Sequence, residues 1–163
     1  SGMRKVYVSQ TKSTGKGLFA KKDFKKDEVL FVIKGTIRHG AYISGFYSEG
    51  PNWVTIAKNT WLSPFDQNPW RYINHSCDPN AGLKGKVTVV AMKNIKKDEQ
   101  VTIDYSITED DPYWKMNCRC GEKNCRKVIK SIRYLPLKIF RKYDNYIPNY
   151  LKKSYLKCSR KAH

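Results

Sequence analysis

The sequence predicts a mainly β fold, a β-rich α+β arrangement of small sheets with short helices confined to the C-terminal end. Three observations carry this. Short runs rich in Val, Ile, Thr and aromatics recur between Gly, Pro, Asn and Asp: "RKVYV" (4–8), "EVLFVIK" (28–34), "WVTIA" (53–57), "KVTVVAM" (86–92) and "QVTID" (100–104). The block "AKKDFKKDEVLFV" (20–32) returns without gaps as "AMKNIKKDEQVTI" (91–103). From Val128 onward, Leu, Ile, Phe and Tyr fall at helical spacing, interrupted by Pro136 and Pro148.

Taken in order, Ser1 and Gly2 precede Met3 like a tag remnant and are set aside. The first strand is expected at 4–8, followed by the glycine pair Gly15 and Gly17 around Lys16. Each copy of the repeated block reads as strand, charged turn and strand, the last beginning at Glu28 or Glu99. Two copies fall short of the three that a stacked array needs. Residues 36–52 are Gly-rich without a sustained period and are expected to be loop with a short helical turn. One or two short amphipathic helices are expected after Val128. Tyr134, Tyr143, Tyr146, Tyr150 and Tyr155 lie there among Lys and Arg. They read as a packed stripe with wet hydroxyls, in preference to a base-stacking surface.

Composition narrows the classes. A chain of 163 residues, 40% hydrophobic and 13% aromatic, can bury one real core. No apolar run approaches the ~20 residues of a membrane span, and the basic N-terminus lacks the apolar stretch of a signal peptide. No membrane partner and an intracellular location are expected, with nucleus and cytoplasm indistinguishable. The net charge is +18, and residues 115–163 alone carry 15 basic and 2 acidic side chains. Such a field can draw in nucleic acid, an acidic protein or an anionic cofactor. Glu109, Asp110 and Asp111 form an acidic patch expected to receive a Lys-rich peptide.

Five cysteines occur, and three form "CRCGEKNC": Cys118, Cys120 and Cys125. Thiolates spaced C-x-C-x4-C can converge on one tetrahedral structural zinc, which then needs a fourth ligand. Cys77, held in the Asp78-Pro79 turn of "NHSCDPN" (74–80), is preferred over Cys158, with a histidine as outsider. A metal-bound Cys77 is unavailable as a nucleophile, so the His75–Cys77 pair does not read as hydrolase machinery.

Four segments in order resemble the SET-domain protein lysine methyltransferases: "GKG" (15–17), "RYINHSCDPN" (71–80), "DEQVTIDY" (98–105) and the post-SET-like "CRCGEKNC" (118–125). The resemblance implies a SET fold of small sheets with a knot-like active-site crossing where 71–80 meets 98–105. It also implies S-adenosyl-L-methionine as methyl donor and a lysine-containing, chromatin-associated or ribosomal-type protein as substrate. By position, Gly15, Lys16, Gly17, Asn74 and His75 would hold the cofactor, with Trp53 as a looser match. Tyr105 would be catalytic, and Cys77 would join Cys118, Cys120 and Cys125 on Zn2+. The resemblance divides the chain into a SET domain (4–110), a post-SET zinc segment (114–128) and a basic, aromatic-rich helical extension (129–163). Gln100 stands where the family usually has Leu. Ile103 stands where many members have Phe or Tyr, and it cannot hydrogen-bond a water there, which leans toward more than one added methyl. The competing reading is a non-catalytic, zinc-containing module that binds protein or nucleic acid.

Overall fold

In a computed structural model that describes residues 2–40 and 53–161, the β-forming runs build four small sheets. Strands β1 (Val6–Gln10), β2 (Lys16–Ala20), β10 (Gln100–Ile103) and β7 (Asn74–His75) make the first, in the order β1-β2-β10-β7. The second has β3 (Val29–Val32), β9 (Thr88–Ala91) and β8 (Ala81–Lys84), and the third β4 (Gly35–His39), β6 (Thr60–Pro64) and β5 (Val54–Ala57). A hairpin of β11 (Lys115–Asn117) and β12 (Val128–Lys130) is the fourth. Helices α1 (Leu137–Tyr143) and α2 (Asn149–Lys161) follow.

The two copies of the repeated block face each other. Phe24 and Ile95, equivalent positions, exchange backbone hydrogen bonds of 2.7 and 2.9 Å. Asp27 N–H donates to Ala91 O and Asp98 N–H to Ala20 O, both at 2.8 Å. Both aspartates adopt left-handed backbone, φ 73° and 69°, a conformation short polar residues tolerate. The turns end differently: one feeds β3, the other β10.

Part of the stretch expected to be loop is strand. Gly35–His39 pairs along its length with β6, from Gly35↔Pro64 to His39↔Thr60. Four of its five residues are exposed, so no apolar alternation marks it. Gly35 permits the pairing, because a Cβ there would lie 1.9 Å from Ser63 O. Residues 41–52, with the expected helical turn, lie outside the described residues.

One core gathers side chains from the sheets and both helices. Leu18, Trp70, Ile103 and Ile107 share a cluster with Phe140, Tyr143, Leu151 and Tyr155. Phe140 stacks on Tyr155 at 3.8 Å between ring centroids. Tyr143, Tyr146 and Tyr155 are buried as a packed stripe requires, whereas Tyr134 is 54% exposed. Cys158, expected in a frayed end, sits within α2. Among the described residues no helix is long and apolar enough to cross a membrane.

Candidate active site and cysteine cluster

The segments 71–80 and 98–105 meet where β7 runs parallel to β10, with Asn74 opposite Thr102 and His75 opposite Ile103. Ser76 N–H extends the ladder to Ile103 O at 3.0 Å. On one side of this crossing lies a cleft of about 630 Å³, lined in part by Thr11, Thr14, Asn74, His75, Gln100 and Arg119. That volume suits a small-molecule cofactor.

Gly15, Lys16 and Gly17 do not line the cleft themselves but contact Thr11, Asn74 and Gln100, which do. Thr11 N–H donates to Gly15 O at 2.7 Å, and Gly15 takes φ +71°, where a side chain is strained. A Cβ at Gly17 would come within 2.7 Å of Gln100 Oε1 and 3.0 Å of Asn74 Nδ2. Lys16 contributes its carbonyl, which accepts from Asn74 Nδ2 at 3.1 Å, and its side chain is exposed. Asn74 Nδ2 also lies 3.0 Å from both Thr14 Oγ1 and Gln100 Oε1. Gln100, which sequence comparison marks only as a departure, is therefore the polar buttress between Gly17 and Asn74. Trp53 is half-buried and is not among the residues lining the cleft.

Tyr105 begins a 3-10 turn capped by Asp104, whose carboxylate accepts from Ser106 N–H at 3.0 Å. The Tyr105 hydroxyl donates to Ile73 O at 2.6 Å, which fixes the phenol beside the crossing. Its backbone N–H donates to His75 Nδ1 at 3.0 Å. Neutral His75 then carries its proton on Nε2, which lies 3.4 Å from Cys77 Sγ. Burial lowers its pKa to about 4, against the pull of Asp104, so the ring is neutral near pH 7. Both ring nitrogens are thus committed inward, and what His75 offers the cleft is backbone.

The Sγ atoms of Cys77, Cys118, Cys120 and Cys125 all lie within 4.8 Å of one another. Separations of 3.9 Å for Cys77–Cys118 and 3.7 Å for Cys125–Cys118 match the roughly 3.8 Å edge of a tetrahedron with zinc–sulfur bonds of about 2.3 Å. Burial raises the Cys77 and Cys118 thiols, while Lys127 N–H and the neighbouring cysteines hold Cys125 down to about 7. Such a set, two thiols buried and two half-buried, fits a dication that ionises all four. Cys158 stays apart from the cluster. Arg126 N–H approaches Cys77 Sγ at 3.4 Å, and Asn124 Nδ2 donates to Cys77 O at 3.0 Å, so the loop wraps its distant partner.

Asp104, inside "DEQVTIDY", and its partners Arg126 and Tyr143 were given no site role by the sequence. Asp104, fully buried, accepts from both Arg126 guanidinium nitrogens at 2.7 and 2.8 Å and from Tyr143 Oη at 2.9 Å. Burial alone would raise its pKa, but Arg126 outweighs that and holds it below the usual carboxylate range. The carboxylate ties the cysteine segment and α1 to the residue beside Tyr105.

The expected acidic docking patch is corrected by its burial. Glu109, Asp110 and Asp111 are 6%, 1% and 2% exposed. Glu109 accepts from Thr55 Oγ1 at 2.6 Å and from Trp61 Nε1 at 3.0 Å, so it ties its segment to β5 and β6 of one sheet instead of facing a ligand. Sequence alone shows three adjacent acids; only the fold supplies their internal donors.

A family model described as SET domain matches residues 15–106. Histone-lysine N-methyltransferase 2D of Homo sapiens is 30% identical over 136 residues, covering 75% of this chain and 2% of its own length. Histone-lysine N-methyltransferase 2B of Homo sapiens is 35% identical over 138 residues, covering 76% of this chain and 5% of its own. The H3 lysine-36 specific histone-lysine N-methyltransferase of Candida albicans is 29% identical over 150 residues, covering 77% and 16%. The chain thus spans a small part of these curated relatives. The crystal structure of KRYPTONITE in complex with mCHG DNA and SAH superposes with TM-score 0.61 at 21% identity, over 76% of this chain and 28% of that one, and so shares the fold.

Proposed function

This chain belongs to the SET-domain family, and from that premise we propose that it is an S-adenosyl-L-methionine-dependent protein-lysine N-methyltransferase acting on a histone or similar basic protein. The observation that carries this reading is the β7–β10 crossing, which sets the anchored Tyr105 against His75, ring centroids 5.4 Å apart, and His75 lines a cofactor-sized cleft that Tyr105 itself does not line. The curated relatives, named as histone-lysine N-methyltransferases, support it.

When bound, the donor supplies a methyl group on a sulfonium sulfur. Gly15, Lys16 and Gly17 would present backbone to its charged end, and Asn74 and the His75 backbone would meet its polar edges. Trp53 remains a looser candidate contact. Tyr105 Oη, held by Ile73 O, would orient the incoming amine, and that carbonyl adds negative potential where positive charge is shared. A lysine with pKa ~10.4 must arrive neutral, and burial beside a cation favours loss of its proton. Cys77, Cys118, Cys120 and Cys125 would hold a structural Zn2+, in keeping with an intracellular, reducing compartment. The basic C-terminal third would add non-specific nucleic-acid contact.

The test is transfer of labelled methyl to core histones by wild type and Tyr105→Phe, with donor binding by calorimetry. Wild type should transfer, and the variant should bind donor yet lose about 10²-fold or more in rate. A wild-type protein that binds no donor would leave the non-catalytic binding module standing. For zinc, Cys120→Ser should lose bound metal and unfold at lower temperature; a fully metalled variant would contradict the assignment.

A further inference from the structure

A second cleft, of about 370 Å³, shares no lining residue with the first. It is lined by Pro112, Tyr113, Trp114, Lys115, Lys130 and Tyr134. Tyr113 and Tyr134 are 57% and 54% exposed, among the most exposed large hydrophobic side chains described. Trp114 is half-buried, its inner side packed on the cysteine cluster. Three aromatic side chains left at one open site are a surface that folding alone does not require.

The two lysines add a second, independent anomaly. Lys115 and Lys130 are directly opposed on β11 and β12, and both are exposed. Like charges directly across an antiparallel pair destabilise it. Lys130 Nζ lies 5.6 Å from the centre of the Tyr134 ring, so one cation already borders the aromatic surface.

We propose that this cleft binds single-stranded nucleic acid, stacking bases on Tyr113, Trp114 and Tyr134 and placing phosphates between Lys115 and Lys130. Each nucleotide supplies both things the cleft lacks, a flat π face and a negative charge, at adjacent positions. A phosphate between the lysines relieves their repulsion. An acidic peptide would answer the charges but not the rings, and a proline-rich one the rings but not the charges. This deepens the nucleic-acid contact proposed above by giving it a place, and it does not depend on methyl transfer.

The test titrates the intact protein with a dT oligonucleotide, duplex DNA of equal length and poly-glutamate, following tryptophan fluorescence and anisotropy. Trp61 and Trp70 are fully buried and Trp53 is half-buried, so quenching that persists in a Trp53→Phe background should report Trp114. The oligonucleotide should quench and bind more tightly than either competitor. Tyr113→Ala and Tyr134→Ala, both at exposed side chains, should each weaken it about tenfold. Lys115→Gln with Lys130→Gln should lower the slope of log K against log salt by about 1.4. Donor binding should be unchanged in all four substitutions. Tight binding that ignores both tyrosine changes, or that favours duplex or poly-glutamate, would overturn this site while leaving a basic surface in place. No binding to any polyanion would overturn the site and the broader nucleic-acid contact together, and methyl transfer would stand or fall separately.

Discussion

Asp104 and Glu109 lie on one short segment, both buried, and their pKa values are shifted in opposite directions. Asp104 faces a cation: Arg126 grips it with two nitrogens at 2.7 and 2.8 Å, and its pKa is lowered despite burial. Glu109 accepts from the neutral donors Thr55, Trp61 and the N–H groups of Asp110 and Asp111, with the Asp110 carboxylate close by. There burial prevails over those hydrogen bonds and raises the pKa. The difference shows that identity of the partner, not depth, decides which way a buried acid's pKa moves. It also separates two jobs. Asp104 clips the cysteine segment and α1 to the neighbour of Tyr105, while Glu109 clips β5 and β6 to the same segment.

The strongest way to break this contrast is Arg126→Met. Asp104 would lose its counter-ion inside the fold and be left as an uncompensated charge or forced to take up a proton, a change that costs about 3–5 kcal/mol. Urea unfolding should show it, and adding Asp104→Asn should recover part of the loss, because the uncompensated charge is then gone. A loss below about 1 kcal/mol would mean water already reaches the pair.

A smaller effect, of opposite sign in pH, should come from Glu109→Gln. A carboxyl whose folded pKa is raised contributes stability that is fully present below its unfolded value of about 4.3 and is lost as pH rises toward the folded value. The stability gap between wild type and Glu109→Gln should therefore be widest near pH 4 and narrow above it. For Asp104, lowered in the fold, the gap against Asp104→Asn should instead persist above about pH 3.9 and shrink only below it. Acid loss of metal affects both members of each pair and cancels in the difference. Parallel slopes for the two comparisons would show that the two sites are electrically alike.

These contrasts mark how far the sequence could be read. The strand-rich body, the repeated turns and the choice of Cys77 over Cys158 were legible, because turn chemistry and thiol spacing are local rules. The crossing of 71–80 with 98–105 came from family resemblance, since nothing local announces a parallel pair of two residues. Strand β4 was missed because it is exposed on both faces, and the acidic patch was misread because three adjacent acids look solvated until Thr55 and Trp61 arrive from other strands. Arg126 and Tyr143 lie 22 and 39 residues from Asp104, so their shared partner has no sequence signature. Gln100 looked like a deviation and is the contact that spaces Gly17 from Asn74.

The smallest expected effect sharpens the contrast most finely. Tyr143→Phe removes one neutral donor from Asp104 Oδ2 and leaves Arg126 Nη1 on that same oxygen at 2.7 Å. The carboxylate stays charged and partnered, so the loss should be about 1 kcal/mol, well under that of Arg126→Met. Phe keeps the packing of the ring, and α1 should remain docked through Phe140 and its stack with Tyr155. The informative readout is methyl transfer at a temperature where the variant is fully folded. If the C-terminal helices serve only as packing, the rate should match wild type. If Asp104 positions Tyr105 through its cap on the 3-10 turn, the rate should fall with donor affinity unchanged, because its carboxylate accepts from Ser106 N–H at 3.0 Å next to Tyr105.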